Sequence, residues 1–126
     1  MNRRVLLVED EPNIIEAIRF ILKRDGWEVE AHTDGSSAVR KITQVAPHLV
    51  ILDMMLPGRS GMEILADLRA LPEMSDLPVL MLTARGQSRD RELAEKAGVS
   101  RFMTKPFSNN EVLAAVRDLV AQASKP

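Results

Sequence analysis

The chain has 126 residues, with 17 basic and 18 acidic side chains, no cysteine and a formal charge of −1. This length fits one domain that is stable without cross-links, and the absence of cysteine excludes disulfides and thiolate metal sites. The balanced charge predicts no direct binding of nucleic acid or of an anionic membrane. We expect a cytoplasmic location, because the sequence shows neither a signal peptide nor an apolar run near the ~20 residues of a membrane span.

Five segments of the chain are typical of β-strands, and five others are typical of amphipathic helices. The strand-like segments are apolar runs, except for the second, in which apolar and polar residues alternate. The helix-like segments repeat apolar residues at helical spacing, with Pro12 at the start of the first and Gly26 after it. In chain order, the predicted strands are 5–8, 27–33, 48–53, 78–84 and 101–104, and the predicted helices have their apolar stripes within 14–22, 38–46, 64–71, 88–97 and 112–120.

The alternation of strands and helices predicts an α/β fold with a parallel sheet and right-handed crossovers. The first, third and fourth strands are continuously apolar, which is typical of strands covered on both faces. The second and fifth strands are therefore expected at the edges, in the order 2-1-3-4-5. This arrangement is a doubly wound (βα)5, flavodoxin-like three-layer sandwich, in which ligands bind beyond the carboxyl ends of the strands where the winding reverses.

Reactive side chains follow or end every predicted strand except the second. Glu9 and Asp10 follow the first strand, Asp53 ends the third, Thr83 lies in the fourth and Lys105 follows the fifth. Converging carboxylates repel one another unless they share a cation, and an all-oxygen ligand set favours a hard ion such as Mg²⁺, or Mn²⁺. An aspartate on such an ion, beside an ammonium and a hydroxyl, is suited to attack a phosphoryl group.

Each of these residues also has an ordinary structural interpretation. Asp10 before Pro12 can cap a helix, and Asp53 can belong to the turn after its strand. A threonine at a strand end and a Lys-Pro dipeptide are common. The functional interpretation rests on position, because four chemically complementary groups stand at four strand ends around one reversal.

The sequence resembles the receiver domain of bacterial two-component response regulators over essentially its whole length. We therefore expect a receiver domain at 1–122, with a tail or the start of a linker at 123–126. The resemblance implies that this is a regulatory phosphoacceptor domain rather than an enzyme, catalysing only its own phosphorylation and a slow autodephosphorylation. The segments that carry the resemblance are VLLVEDE, LDMMLPGRSGMEIL, LTARG and KPF.

The resemblance also implies a role for each residue of the site. Asp53 would accept the phosphoryl group from a sensor histidine kinase or a phosphotransfer protein, and Lys105 would pair with that group. The Lys105–Pro106 peptide bond would be cis. The ligands of Mg²⁺ would be Asp10, Glu9 mainly through water, Asp53 and the main-chain carbonyl of Met55.

A conformational switch is the output that the resemblance implies. Thr83 would move toward the phosphoryl oxygen, and Phe102 would turn inward and reshape the face formed by the fourth helix, fifth strand and fifth helix. An alternative is that Phe102 is simply a core aromatic residue. The fourth helix has a weak apolar stripe within 88–97, as a mobile element requires. The effector domain or output protein that reads this face is not identified by the sequence.

Dimerisation is uncertain from the sequence. The LTARG segment with Arg91 and Glu111 is similar to receivers attached to winged-helix DNA-binding domains, which dimerise through charge pairs on that face. The acidic residues expected at 99–101 and the basic residue expected at Ala115 are missing. Because exposed ion pairs contribute roughly 0–1 kcal/mol each, we expect a monomer or a weak, phosphorylation-dependent dimer.

Two other classes of protein compete with this interpretation. A phosphorylation-independent pseudo-receiver usually lacks one of the acidic residues, the aspartate or the lysine, and this chain has all of them. A flavin carrier would need a phosphate-binding loop rich in Ser, Thr and Gly after the first strand, and an aspartyl phosphohydrolase would need an aspartate at Met55. His32 and His48 are expected to lie away from the site and to bind no metal.

Overall fold

The computed structural model describes residues 3–84 and 88–123. Within these ranges, five strands and five helices alternate, and two short 3₁₀ turns lie at Gly35–Ser37 and Pro72–Met74. No helix in these ranges is long and apolar enough to cross a membrane. The elements are β1 (Arg3–Val8), α1 (Pro12–Arg24), β2 (Trp27–His32), α2 (Ala38–Val45), β3 (Leu49–Asp53), α3 (Gly61–Ala70), β4 (Val79–Thr83), α4 (Ser88–Lys96), β5 (Arg101–Thr104) and α5 (Asn109–Ala123).

The strands form one parallel sheet in the order β2-β1-β3-β4-β5. The predicted fold class, strand order and edge strands are therefore confirmed. The predicted strand boundaries differ from the observed ones by two residues at most, because Arg3 and Arg4 extend β1 although their side chains are exposed. The two 3₁₀ turns were not predicted, since neither carries a repeating apolar pattern.

The sheet is covered on both faces because successive side chains of its inner strands point in opposite directions. All five residues of β3 and of β4 are buried. One face packs mainly against α1 and α5, and the other mainly against α2 and α3, which gives the predicted three layers. The first core includes Val5, Leu7, Ile18, Leu22, Leu49, Ile51 and Val116, and the second includes Leu6, Val8, Ile42, Val50, Leu52, Ile64 and Leu65.

Strand β2 is less regular in its burial than its alternating sequence suggests. Trp27 is buried, but Val29 and Ala31 are only half-buried. The guanidinium of Arg3 lies 5.7 Å from the centre of the Trp27 ring. An edge strand has a neighbour on one side only, so its apolar side chains remain partly accessible.

Helix α4 is weakly anchored, as its sequence predicts. Of its residues from Arg91 to Lys96, only Ala94 is buried, and the side chain of Leu93 is 46% exposed. Helix α3, by contrast, buries Ile64, Leu65 and Leu68. Separating α4 from the sheet therefore exposes less apolar surface than separating α3, and it should require less free energy.

Native-state hydrogen exchange should reveal this difference. We expect the amides of residues 93–96 in α4 to exchange faster than those of residues 65–70 in α3, because α4 can open locally. NMR-detected exchange at neutral pH measures both helices in one sample. The Ala94→Gly variant should accelerate exchange in α4 and leave α3 unchanged, and equal protection of the two helices would contradict the expectation.

Candidate functional site

The carboxyl ends of the strands bring four of the predicted site residues to one edge of the sheet. Asp53 is the last residue of β3 and Thr83 is the last residue of β4, while Glu9 and Lys105 directly follow β1 and β5. The strand register keeps these ends level, since Asp53 is opposite Leu82 in β4. The apolar strands thus carry polar side chains to a common rim.

Three carboxylates come together at this rim. Glu9, Asp10 and Asp53 each offer an oxygen within 4.8 Å of the other two. Glu9 and Asp53 are buried, and Asp10 is exposed. This arrangement leaves one side of the cluster open to solvent, so an ion can enter it.

Glu9 uses its two oxygens differently. Its Oε2 accepts hydrogen bonds from the amides of Asp10 and Glu11, each at 3.1 Å. Its Oε1 is buried, lies 3.3 Å from Lys105 Nζ and accepts no hydrogen bond of good geometry from the described residues. A buried carboxylate oxygen needs a close positive charge, and this lysine is shared with Asp53 and Glu11. The donor set therefore fits a hard divalent cation held by oxygen ligands.

Lys105 supplies a positive charge beside these acids. Its Nζ lies 3.3 Å from Glu9 Oε1, from Asp53 Oδ1 and from Glu11 Oε1. Burial of Lys105 would lower its pKa, but the charges of Asp53 and Glu9 outweigh burial and raise it. Lys105 is therefore an ammonium ion at neutral pH.

Glu11 was not assigned to the site from the sequence. It is the N-cap residue of α1 and makes no side-chain capping hydrogen bond, and its carboxylate contacts Lys105 instead. The available signal was its position in the acidic run after β1. The helix-cap interpretation of Asp10 is not supported, because the cap position belongs to Glu11.

Burial also changes the protonation of Glu9. Desolvation raises the pKa of Glu9 to about 7, the hydrogen bond from the Glu11 amide opposes this change, and the charge of Asp53 adds to it. Glu9 therefore holds its proton to a higher pH than an ordinary carboxyl group does. Among the described residues, the site has more acidic groups than the Lys105 ammonium can neutralise.

Two methionines follow Asp53 and face different surroundings. Met54 is buried, and its sulfur accepts a hydrogen bond from the Thr83 hydroxyl at 3.6 Å. Met55 is 74% exposed, and its amide donates to Asp53 Oδ1 at 3.4 Å. The structure therefore directs the Thr83 hydroxyl to Met54, and it places an apolar, accessible side chain beside Asp53.

Phe102 and Pro106 lie on and just beyond β5. Phe102 is half-buried at the margin of the core, and the guanidinium of Arg91 lies 5.9 Å from the centre of its ring. The Lys105–Pro106 peptide bond is cis. The last two residues of the LTARG segment, at positions 85 and 86, lie outside the described residues.

The two histidines are not part of the carboxylate cluster among the described residues. His48 precedes β3, and its Nδ1 accepts a hydrogen bond from the amide of Arg4. The expectation that His32 lies away from the rim is wrong. His32 ends β2 at the same edge of the sheet, its carbonyl accepts from the Glu9 amide, and its Nε2 lies 2.8 Å from Ser37 Oγ.

The charged residues expected to mediate dimerisation have partners within the chain. Arg91 pairs with Glu95, and the Glu111 carboxylate accepts a hydrogen bond from the amide of Ser108. Ala115 is completely buried, so position 115 does not lie on the surface of α5. An intermolecular Arg91–Glu111 pair would have to replace these contacts.

Comparisons with known proteins give one family and one fold. The model of the response regulator receiver domain matches residues 5–117. The phosphate regulon transcriptional regulatory protein PhoB of Escherichia coli strain K12 is 39% identical over 98% of this chain and 54% of PhoB, so the chain spans about half the length of this curated relative. A signal receiver domain of a histidine kinase from Syntrophus aciditrophicus has a TM-score of 0.90 at 28% identity, over 98% of this chain and 94% of that one. The BeF3-activated N-terminal receiver domain of Klebsiella pneumoniae RstA has a TM-score of 0.86 at 29% identity, over 94% and 98% of the two chains.

The protonation of Glu9 should make stability depend on pH. Without divalent cations, we expect the free energy of unfolding to fall as the pH rises from about 5 to about 8. Glu9 ionises near 4.5 in the unfolded chain and near 7 in the folded one. The folded state therefore binds more protons over this interval, and loss of protons favours unfolding.

Urea denaturation in EDTA at several pH values measures this effect. The Glu9→Gln variant cannot ionise, so its profile should be flatter. The difference between the two profiles isolates the contribution of Glu9, because the two proteins are otherwise identical. Parallel profiles would show that the Glu9 carboxyl group does not hold its proton to high pH.

Proposed function

This chain belongs to the response regulator receiver domain family, and on that premise we propose that it accepts a phosphoryl group on Asp53 in a reaction that requires Mg²⁺ or Mn²⁺. One observation carries the proposal. The buried Asp53 carboxylate shares a rim with Glu9 and Asp10 and lies 3.3 Å from the Lys105 ammonium. Such a set combines a nucleophile, a place for a cation and a fixed positive charge.

The proposed reaction transfers a phosphoryl group from a phosphohistidine of a sensor histidine kinase or phosphotransfer protein. An Asp53 oxygen forms a bond to phosphorus while the bond from phosphorus to the histidine nitrogen breaks, and the electron pair leaves with the imidazole. Lys105 neutralises charge on the phosphoryl oxygens. Burial of Asp53 limits the access of water, which strengthens this electrostatic stabilisation.

The cation would be held by carboxylates of Glu9, Asp10 and Asp53, with the main-chain carbonyl of Met55 as a further ligand. When bound, it supplies positive charge that offsets the repulsion between Asp53 and an incoming phosphoryl group. The oxygens that Glu9, Asp10 and Asp53 hold within 4.8 Å of one another support this assignment. The direct contacts of Asp10 and the water-mediated role of Glu9 belong to the proposal.

The output would be a change in the face formed by α4, β5 and α5. Thr83 would turn its hydroxyl from Met54 to a phosphoryl oxygen, and Phe102 would move into the space that Thr83 leaves. The half-burial of Phe102 and the weak anchoring of α4 support this switch. We propose that the domain acts in the cytoplasm as a monomer or a weak, phosphorylation-dependent dimer.

The partner that reads this face would be an effector domain or a separate output protein. PhoB is named a transcriptional regulatory protein and is nearly twice as long as this chain. An effector domain beyond residue 126 is thus one form of the proposal. Helix α5 continues to Ala123, so the tail or the start of a linker begins one residue later than predicted. Residues 124–126 lie outside the described part of the chain, and direct contact of this domain with nucleic acid is not proposed because its charge is balanced.

Intact-mass spectrometry after incubation with acetyl phosphate tests the phosphoacceptor. We expect one phosphoryl group per chain in the presence of Mg²⁺ and none in EDTA. The Asp53→Asn variant should gain none, whereas the control Asp76→Asn, which alters an exposed acid away from the rim, should behave like the unsubstituted chain. A folded chain that gains no phosphoryl group and binds no beryllofluoride would instead support a phosphorylation-independent interaction module.

The lifetime of the phosphorylated chain should be long. Because Met55 has no polar group to orient an attacking water, we expect autodephosphorylation over minutes or longer. Met55→Asn should shorten the lifetime several-fold by adding an amide beside Asp53, and the apolar control Met55→Leu should leave it unchanged. Mass spectrometry after removal of the donor measures this lifetime. Decay of the unsubstituted phosphoprotein within seconds would contradict the expectation.

A further inference from the structure

We propose that the turn between β2 and α2 positions the loop that supplies the Met55 carbonyl to the cation site. The turn consists of residues 34–37, and the loop between β3 and α3 consists of residues 54–60; we call them the supporting turn and the ligand loop. This inference rests on the proposed cation site and adds a positioning function for residues that bind neither cation nor phosphoryl group.

Gly35 of the supporting turn makes direct backbone contact with the ligand loop. Its amide donates a hydrogen bond to the Pro57 carbonyl at 2.9 Å. A Cβ at Gly35 would overlap the carbonyl oxygen of Arg59 and lie 2.9 Å from both the Arg59 nitrogen and the Pro57 oxygen. Gly35 does not have a positive φ, so glycine is required here for space and not for backbone conformation.

Gly58 makes the matching contact from the ligand loop. A Cβ at Gly58 would lie 2.9 Å from Asp34 Oδ1 and 3.2 Å from the Ser36 nitrogen. Its φ of +84° is also a conformation that favours glycine. Each segment thus has a glycine at the point where the other approaches, which lets the two backbones touch.

The supporting turn is itself held in one conformation. Asp34 accepts hydrogen bonds from the Ser36 hydroxyl at 2.6 Å, the Ser36 amide at 3.3 Å and the Ser37 hydroxyl at 3.2 Å. The Ser37 hydroxyl also lies 2.8 Å from His32 Nε2 at the end of β2. The turn is therefore fastened to the sheet, so it can support the loop that packs on it.

The two ends of the ligand loop are fixed by other contacts. The Met54 amide donates to the Leu82 carbonyl at 2.8 Å, and the Met54 carbonyl accepts from the Gly61 amide at 2.9 Å. Ser60 and Glu63 form a capping box at the start of α3. In the centre of the loop, Leu56 packs against the second core, and Arg59 pairs with Glu63 and Asp67. The supporting turn holds the backbone at Pro57 and Arg59.

A fixed loop matters because cation affinity depends on ligands that are already in place. Groups that orient metal ligands without touching the metal typically change affinity about 10–100-fold when they are altered. Displacing Pro57 and Arg59 would shift the chain that follows Met55, and with it the Met55 carbonyl. The expected consequence is weaker binding of Mg²⁺ with the carboxylates unchanged.

Isothermal titration calorimetry of Mg²⁺ binding at pH 8 tests the inference. We expect Gly35→Ala to weaken Mg²⁺ binding by about tenfold or more. Asp34→Ala, which introduces no clash, should weaken binding by a smaller factor. The matched control is Gly26→Ala, because a Cβ at Gly26 meets nothing within 4 Å while its φ of +91° makes alanine unfavourable.

Thermal denaturation in EDTA separates loss of stability from loss of affinity. Gly26→Ala should lower the melting temperature and leave Mg²⁺ affinity within twofold of the unsubstituted chain. If Gly35→Ala does not fold, Asp34→Ala decides the question. The positioning function alone would be overturned if folded Asp34→Ala bound Mg²⁺ with unchanged affinity and Gly35→Ala, where it folds, did the same. Absence of Mg²⁺ binding by the unsubstituted chain would overturn the proposed cation site and the positioning function together.

Discussion

The repulsion between carboxylates at the end of one sheet is the constraint that shapes this site. Glu9 and Asp53 are buried beside Asp10, and the Lys105 ammonium lies 3.3 Å from each of the two buried acids. This ammonium cannot neutralise three ionised acids, and the pKa of Glu9 is raised mainly by its burial and further by the charge of Asp53. A divalent cation would offset the negative charge of the cluster, so the electrostatics of these acids and the proposed chemistry have the same origin.

The apolar core stabilises the strands that carry the acidic cluster. The inner strands β1, β3 and β4 bury apolar side chains on both faces directly before the acidic rim. Burying one such side chain contributes roughly 1.5–3 kcal/mol, so the strands that carry the acids are firmly held. Helix α4 contributes little to this core, so a change in its position should cost little stability. The site and the face proposed to move therefore lie on differently anchored parts of the same sheet.

The sequence specified the sheet order and the convergence of Asp53, Glu9 and Lys105, because continuous apolar strands fix both the order and the position of their ends. Contacts between distant loops were not predictable in this way. Gly35 and Pro57 are separated by 22 residues along the chain, as their numbers show, and neither belongs to a repeating pattern. The position of His32 was misjudged although the predicted parallel sheet already placed residue 32 at the carboxyl end of its strand, because only the other four strands were expected to supply site residues. The rotamer that directs Thr83 to Met54 likewise depends on packing and not on local sequence.

The proposed switch would require only weak contacts to break. A thioether sulfur is a poor hydrogen-bond acceptor, so moving the Thr83 hydroxyl from Met54 to a charged phosphoryl oxygen exchanges a weak bond for a stronger, charge-assisted one. The Arg91 guanidinium over Phe102 is exposed, where such a contact contributes about 0.5–1 kcal/mol. To convert a protein almost completely from one state to another, a ligand must bind the second state with a free energy roughly 5.5 kcal/mol more favourable than the first. Because the opposing contacts are this small, most of the free energy of the proposed phosphoryl contact would remain available to move α4 and β5.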